Sequence, residues 1–297
     1  MDLPVVPLTP AAPTTAAPFV LRAPSRQSVP LVFVSPHSGR DYPADLLAAT
    51  RLDRLGLRRS EDSFVDNLFA AAPAHGAPLL AALFPRVYCD ANREAWELDQ
   101  AMFADKLPDW VNTTSPRVGA GLGTIARVVA TGEAIYQAKL HFAEAQRRVH
   151  VYWQPFHDAL STVIAETIAA FDTCLLIDCH SMPAHGGASR HGAGPADIVL
   201  GDAFGTACAP AITSLVERQL RSLGYAVRRN DPYAGGYITR HYGRPREGVH
   251  VLQLELARGL YMDEATIEPS PRFPIMRRHL EEFISTLAHA APSLLAG

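Results

Sequence analysis

Four short apolar runs, each ended by polar or turn-forming residues, constrain the fold of this chain most strongly. They lie at residues 31–35, 86–90, 174–178 and 249–255. Short runs that are apolar throughout are typical of strands buried on both faces of a largely parallel sheet. Three other segments have helical spacing and would supply the crossovers, at residues 61–72, 132–171 and 203–223. The sequence therefore predicts an α/β fold with a largely parallel central sheet flanked by helices.

The length of the chain alone would permit two domains, but the alternation of strand and helix signals favours one. The chain has 297 residues, of which 48% are hydrophobic, and this is enough to bury a full core. We predict a single domain over residues 27–297. Residues 1–26 are rich in proline and alanine without periodicity, so we expect an extended arm there, with regular structure starting near Leu31. Residues 105–126 show no clear period and are a candidate binding loop.

Charge and hydropathy exclude two classes of partner. The formal net charge of −3 is ordinary for an enzyme and unlike that of a nucleic-acid binder. The longest apolar stretches are far shorter than the roughly 20 residues that a membrane-spanning helix needs, and the N-terminal segment lacks the pattern of a secretion signal. We therefore expect a cytoplasmic protein that binds neither nucleic acid nor membrane. Homo-oligomerisation is left open.

Two histidines follow predicted strands closely. Ligands of open α/β sheets bind beyond the carboxyl ends of the strands, and here the four ends read PHSG, CDANR, DCHS and LELAR. His37 lies in the first and His180 in the third. A lone histidine at such a place is more often a hydrogen-bonded turn residue. Two of them, with a nearby carboxylate, match the ligand set of a catalytic zinc site.

Acidic residues could supply the remaining ligand and a base. Glu61 or Asp62 could give the anionic oxygen, although two acids at a helix start equally fit stabilisation of the helix dipole. Glu255 is the best candidate for a general base, because it is one carboxylate among strand neighbours that should be buried. The structural alternative is that Glu255 forms an ion pair with an arginine such as Arg258.

Three polar residues are candidates for binding an anionic substrate. Arg93 and Arg240 carry planar guanidinium groups that can form two parallel hydrogen bonds with a carboxylate, and Asn92 adds a polar contact. Surface or ion-pair roles are equally compatible with these arginines. The segment GAGLGT matches neither a dinucleotide-binding fingerprint nor a phosphate-binding P-loop, so no nucleotide cofactor is expected.

Eight motifs recur in a known order along the chain. They are VSPHSG, SEDSFVDNLF, CDANREAWELD, GAGLGTIARVV, LIDCHSMP, ADIVLGDAFGTACAP, NDPYAGGYITRHYGRP and LELARGLYMDE. Together they resemble the N-formylglutamate amidohydrolase family, also called N-formylglutamate deformylase. The resemblance runs from about Val34 to Asp263. Each motif alone would be weak, whereas the ordered set is highly specific.

The resemblance implies a fold similar to the zinc carboxypeptidases, of the phosphorylase/hydrolase-like type, with a mixed sheet between helices. It also implies a first histidine ligand, an acidic ligand, an Asn-Arg pair for the substrate carboxylate, a second histidine ligand and a glutamate base. The matching residues are His37, Asp62, Asn92 with Arg93, His180 and Glu255. In carboxypeptidases the acidic ligand follows the first histidine by three residues, where this chain has Arg40. Asp62 fits the family motif better than Glu61, and the choice stays open.

The implied activity is zinc-dependent hydrolysis of N-formyl-L-glutamate to L-glutamate and formate, at the end of a histidine-degradation route. One divalent metal, expected to be zinc, would polarise the formyl carbonyl while Glu255 activates water. The substrate has two carboxylates, so we expect at least two of Arg93, Arg127 and Arg240 to bind them. The alternatives are a related zinc amidohydrolase acting on another N-acyl amino acid or a small peptide, and a metal-free binding protein on the same scaffold.

Overall fold

The computed structural model describes residues 17–184 and 194–295, and these divide into two compact units. The first unit contains residues 17–20, 36–61 and 82–159, and the second contains residues 21–35, 62–81, 160–184 and 194–295. The predicted arm at residues 1–26 falls largely on residues 1–16, which lie outside the described residues. Regular structure begins earlier than expected, because residues 19–22 form a strand. The single domain over residues 27–297 stays a prediction.

Seven strands of the described chain form one sheet. They are β1 (Phe19–Arg22), β2 (Leu31–Ser35), β3 (Leu79–Ala82), β4 (Cys174–Met182), β5 (Ile198–Gly201), β6 (Val227–Arg229) and β7 (Val249–Ala257). Their order is β1-β3-β2-β4-β7-β5-β6. The pairs β2–β3, β2–β4, β4–β7 and β5–β6 are parallel, and β5–β7 is antiparallel. The predicted α/β class with a mixed, largely parallel sheet is confirmed. Strands β8 (Met262–Asp263) and β9 (Glu268–Pro269) form a separate pair.

The helices of the described chain vary widely in length. They are α1 (Ala44–Ala49), α2 (Arg54–Arg58), α3 (Val65–Leu68), α4 (Pro116–Gly119), α5 (Phe142–Arg148), α6 (Gln154–Phe171), α7 (Pro210–Ser222), α8 (Tyr237–Tyr242) and α9 (Phe273–Leu295). Short 3-10 turns lie at Ala72–His75, Gln100–Met102, Pro245–Glu247 and Arg258–Leu260, and a π-helical turn at Val149–Trp153 joins α5 to α6. No helix within residues 17–184 and 194–295 is long and apolar enough to cross a membrane.

Three of the four predicted strands are correct, and the one predicted at residues 86–90 is wrong. Residues 86–90 form a turn, in which the N–H groups of Tyr88 and Cys89 both donate to the carbonyl of Pro85. The N–H of Asp90 donates to the carbonyl of Thr124 instead of to a neighbouring strand. The two neighbours of β2 in the sheet are β4 and β3, and β3 ends before Pro85. Pro85 has a fixed φ angle that favours a turn. This turn preference outweighs the strand preference of the apolar residues that follow it.

The three predicted helical segments are partly correct. Within residues 61–72 only α3 is α-helical, because Phe64 adopts a left-handed backbone conformation (φ 67°) that a helix cannot include. Within residues 132–171 the helix starts at Phe142, and within residues 203–223 it starts at Pro210. Strands β3, β5 and β6 and the long helix α9 were not predicted.

The main hydrophobic core of the second unit lies on one face of the sheet. Alternate residues of the central strands point into it, including Phe33 of β2, Ile177 of β4 and Leu254 of β7, and helices α3, α7 and α9 pack there. Successive side chains of a strand point to opposite faces. The residues between them, among which are Asp178, His180 and Glu255, therefore share the other face of β4 and β7.

Candidate active site

The centre of the second unit's polar face is a pair of residues on neighbouring strands. His180 of β4 lies directly opposite Glu255 of β7 in the parallel register, and Asp178 lies opposite Gln253. His180 is 2% exposed and Glu255 is 7% exposed. A buried histidine beside a buried carboxylate on one face of a sheet is an arrangement that needs either a metal or a proton to balance its charge.

Both ring nitrogens of His180 contact carboxylates. Its Nε2 lies 2.8 Å from Oδ1 of Asp178, and its Nδ1 lies 3.0 Å from Oδ2 of Asp62. Burial opposes protonation of the ring, but Asp178, Asp62 and Glu255 outweigh it and hold the pKa of His180 well above its usual value. Metal-binding histidines generally donate their second N–H to a carboxylate or carbonyl. Asp178 fits that role at Nε2, which makes Nδ1 the nitrogen that could face a cation.

The two oxygens of Asp62 have different partners. Oδ2 lies beside His180, whereas Oδ1 accepts hydrogen bonds from the Ser181 hydroxyl at 3.0 Å and from Nη2 of Arg258 at 3.2 Å. Asp62 is 1% exposed. Its carboxylate is therefore fixed on one side and directed at the histidine on the other.

The neighbouring acid Glu61, in the first unit, is engaged differently. Its carboxylate accepts two hydrogen bonds from Arg58, both at 3.2 Å, and one from the Tyr42 hydroxyl at 3.0 Å. Both oxygens of Glu61 contact Arg58, whereas Asp62 has Arg258 on Oδ1 only and directs Oδ2 at His180. This difference favours Asp62 over Glu61 as a metal ligand.

His37 has an analogous contact in the first unit. It comes two residues after the end of β2 and is 2% exposed. Its Nε2 lies 2.7 Å from Oδ1 of Asp90, whose Oδ2 accepts two hydrogen bonds from Arg86. Burial alone would raise the pKa of Asp90, but Arg86, His37 and Arg93 hold it well below its usual value. Asp90 thus stays ionised and orients His37 through Nε2, which leaves Nδ1 as the nitrogen that could bind a metal.

His37, Asp62 and His180 share the properties expected of metal ligands. All three are buried, His37 in the first unit and the contacting pair Asp62 and His180 in the second. Two histidines and one carboxylate are a common ligand set of catalytic zinc sites, where a fourth position stays open.

Glu255 is held by a hydrogen-bonded chain. Nε2 of Gln253 donates to Oε1 of Glu255 at 2.8 Å, and Oε1 of Gln253 accepts from the N–H of Gly236 at 2.8 Å. Arg258, considered from the sequence as an ion-pair partner of Glu255, donates to Ser181 and Asp62.

The predicted substrate-binding residues have three different settings. In the first unit, Arg93 is 8% exposed and donates to the carbonyls of Leu122 and Asn92, both at 2.8 Å. Burial, with Arg86 and Arg117 nearby, lowers the pKa of Arg93 from its usual value, although Asp90 and Glu97 oppose the shift. The backbone N–H of Asn92 donates to Asp90 at 2.9 Å, so Asn92 and His37 share one carboxylate oxygen.

The other two arginines are less enclosed. Arg127 donates to Asp99 at 2.8 Å, and its side chain is 42% exposed. Arg240 lies on α8 in the second unit, where it is exposed and its Nε lies 3.4 Å from the carbonyl of Gly235. Asp99 offsets part of the charge of Arg127.

Comparison with known proteins decides the family. Residues 29–262 match the family model described as N-formylglutamate amidohydrolase. The chain belongs to the N-formylglutamate amidohydrolase family. The matched region contains every residue that the sequence analysis assigned to the site. The family resemblance stated from the motifs is therefore confirmed, and the chain is an amidohydrolase acting on a linear amide.

Individual members of the N-formylglutamate amidohydrolase family agree with this assignment. The chain is 31% identical over 243 residues to N-formylglutamate deformylase of Pseudomonas aeruginosa, covering 80% of this chain and 84% of that protein. It is 28% identical over 239 residues to the Pseudomonas putida protein of the same name, covering 80% and 83%. The crystal structure of N-formylglutamate amidohydrolase from Ralstonia eutropha JMP134 superposes with a TM-score of 0.87 at 39% identity, covering 93% of this chain and 99% of that one.

Four residues make contacts at the candidate site that the sequence analysis did not predict. Asp90 and Asp178 orient the two histidines, Arg258 contacts Asp62, and Gln253 contacts Glu255. The motif CDANR carried a usable signal, because its aspartate precedes the Asn-Arg pair by two residues. No comparable signal identifies Gln253, since a glutamine within a strand has no characteristic spacing.

Proposed function

We propose that this chain hydrolyses N-formyl-L-glutamate to L-glutamate and formate, using one zinc ion held by His37, Asp62 and His180. The observation that carries the proposal is the buried contact of Asp62 with His180, opposite Glu255 on the same face of the sheet, in a chain of this family. A cytoplasmic location and a step in histidine degradation remain predictions from the sequence and the family resemblance.

The charges around the proposed metal site support a cation. Asp62 and Asp178 both contact His180, and Glu255 lies opposite it, so three carboxylates converge on one imidazole. When bound, a divalent ion would polarise an amide carbonyl and lower the pKa of a water molecule to about 7. His37 comes two residues after β2, which pairs in parallel with β4, and its Nε2 contact with Asp90 leaves Nδ1 for coordination.

We propose that Glu255 is the general base. It accepts a proton from water as the water oxygen forms a bond to the formyl carbon, and it then delivers that proton to the departing amine nitrogen as the C–N bond breaks. Nε2 of Gln253 donates a hydrogen bond to Oε1 of Glu255 and so holds the carboxylate in place. Arg93, with Asn92, is proposed to bind one substrate carboxylate, and Arg240 or Arg127 the other.

The proposed function can be tested with two measurements on the intact protein. Metal analysis after purification without chelators should find about one zinc per chain, and a formate-release assay should show turnover of N-formyl-L-glutamate. A panel of N-acetyl and other N-formyl amino acids should be poorer substrates. Faster turnover of a different N-acyl amino acid would replace the substrate assignment. A chain that binds no metal and releases no formate would contradict the proposal and favour a binding protein.

The ligand assignment predicts unequal effects of two adjacent acids. Asp62→Ala should weaken zinc binding much more than Glu61→Ala, because Oδ2 of Asp62 contacts His180 whereas both oxygens of Glu61 contact Arg58. Dissociation constants from competition with a chromophoric chelator would compare the two variants, with thermal unfolding as a check on folding. The reverse ranking would transfer the ligand role to Glu61.

A further inference from the structure

Two buried donors converge on a single oxygen of Asp62. The Ser181 hydroxyl and Nη2 of Arg258 both donate to Oδ1, and Nε of Arg258 also donates to the Ser181 hydroxyl at 3.1 Å. The three side chains thus form a closed triangle. Oδ2 is outside the triangle and lies 3.0 Å from His180.

The sheet places both donors. Ser181 directly follows His180 in β4, and Arg258 directly follows the last residue of β7, Ala257, which pairs with Met182. Ser181 is 6% exposed and Arg258 is 7% exposed. Separating a buried ion pair would leave each charge uncompensated, which is energetically costly. The ion pair between Arg258 and Asp62 therefore restrains the Asp62 carboxylate.

We propose that Arg258 and Ser181 are positioning residues that occupy Oδ1 of Asp62, so that Asp62 offers the metal only Oδ2. The inference rests on the metal site of the proposed function. A guanidinium and a hydroxyl on one oxygen prevent the carboxylate from rotating to present both oxygens. The positive charge of Arg258 also offsets part of the negative charge of Asp62, Asp178 and Glu255.

If Arg258 and Ser181 position Asp62, replacing either residue should weaken metal binding even in variants that remain folded. Outer-shell partners of metal ligands typically contribute about 10–100-fold to affinity. Arg258→Met, which removes the charge and the donors but keeps an unbranched side chain, should therefore weaken zinc binding about 10–100-fold. Ser181→Ala should have a smaller effect. The effects should not multiply in the double variant, because both residues act on the same oxygen.

The experiment measures zinc dissociation constants for the full-length protein by competition with a chelator, and absorption spectra of the cobalt-substituted protein. Arg258→Lys, which keeps the charge without the planar fork, should recover part of the affinity. The cobalt spectrum of Arg258→Met should shift as the coordination of Asp62 changes. Arg229→Met is the matched control, because Arg229 pairs with Glu217 of α7, which packs on the opposite face of the sheet. It should leave the affinity and the spectrum unchanged.

Three outcomes would overturn the inference. The first is that Arg258→Met and Ser181→Ala both keep parental affinity and an unchanged cobalt spectrum while the parent binds one metal. The second is that Arg229→Met weakens zinc binding as much as Arg258→Met does. The third is that the parent protein binds no metal, which would overturn the proposed function as well. If Arg258→Met does not fold, Ser181→Ala decides the question, since it removes only a hydroxyl group.

Discussion

Replacing Glu255 by glutamine should lower the turnover of N-formyl-L-glutamate about 100-fold or more, while the protein keeps its fold and its metal. A glutamine cannot take a proton from water at neutral pH, so the loss should appear in kcat. The amide is nearly the same shape as the carboxylate, and its oxygen can still accept the hydrogen bond from Gln253. A 100-fold loss corresponds to about 2.7 kcal/mol of transition-state stabilisation.

The measurement is steady-state formate release by metal-replete protein, with metal content determined on the same sample. Glu217→Gln is the matched control, because Glu217 is a paired carboxylate on α7, whose apolar side packs on the opposite face of the sheet. It should retain parental turnover. Near-normal kcat in Glu255→Gln would disprove the base assignment, and loss of the metal would place Glu255 among the ligands.

Replacing His180 by alanine should weaken zinc binding by more than the roughly 10–100-fold that loss of an outer-shell partner costs. The substitution removes one proposed ligand and also the imidazole that separates Asp62 from Asp178. Activity should fall with metal occupancy. His37→Ala should behave in the same way, because it removes the other imidazole ligand.

His250→Ala is the control for the histidine variants. His250 lies in β7 of the same sheet, but it is five residues from Glu255 and therefore points to the opposite face. Its substitution should leave zinc affinity at the parental value. Full metal occupancy in either His180→Ala or His37→Ala would show that the ligand set is wrong.

The sequence predicted the class of fold because buried parallel strands are apolar throughout. Strands β2, β4 and β7 were found in this way, and their polar ends pointed to His37, His180 and Glu255. The strand expected at residues 86–90 was wrong because Pro85 starts a turn there, and the four-residue strands β3 and β5 were too short to be recognised. The pattern of apolar residues therefore identified the three central strands and missed the strands on either side of them.

By itself, the sequence determined the family, the fold class and the residue types available for a metal site, because these depend on motifs and on local periodicity. Only the tertiary structure decided how those residues are supported. Asp62 and Arg258 are 196 residues apart in the chain, and His180 and Asp62 are 118 apart. The family motif favoured Asp62 over its neighbour Glu61 but left the choice between them open. The structure separates them because the fold brings His180 to Asp62, whereas Glu61 contacts Arg58, which lies three residues before it in the chain.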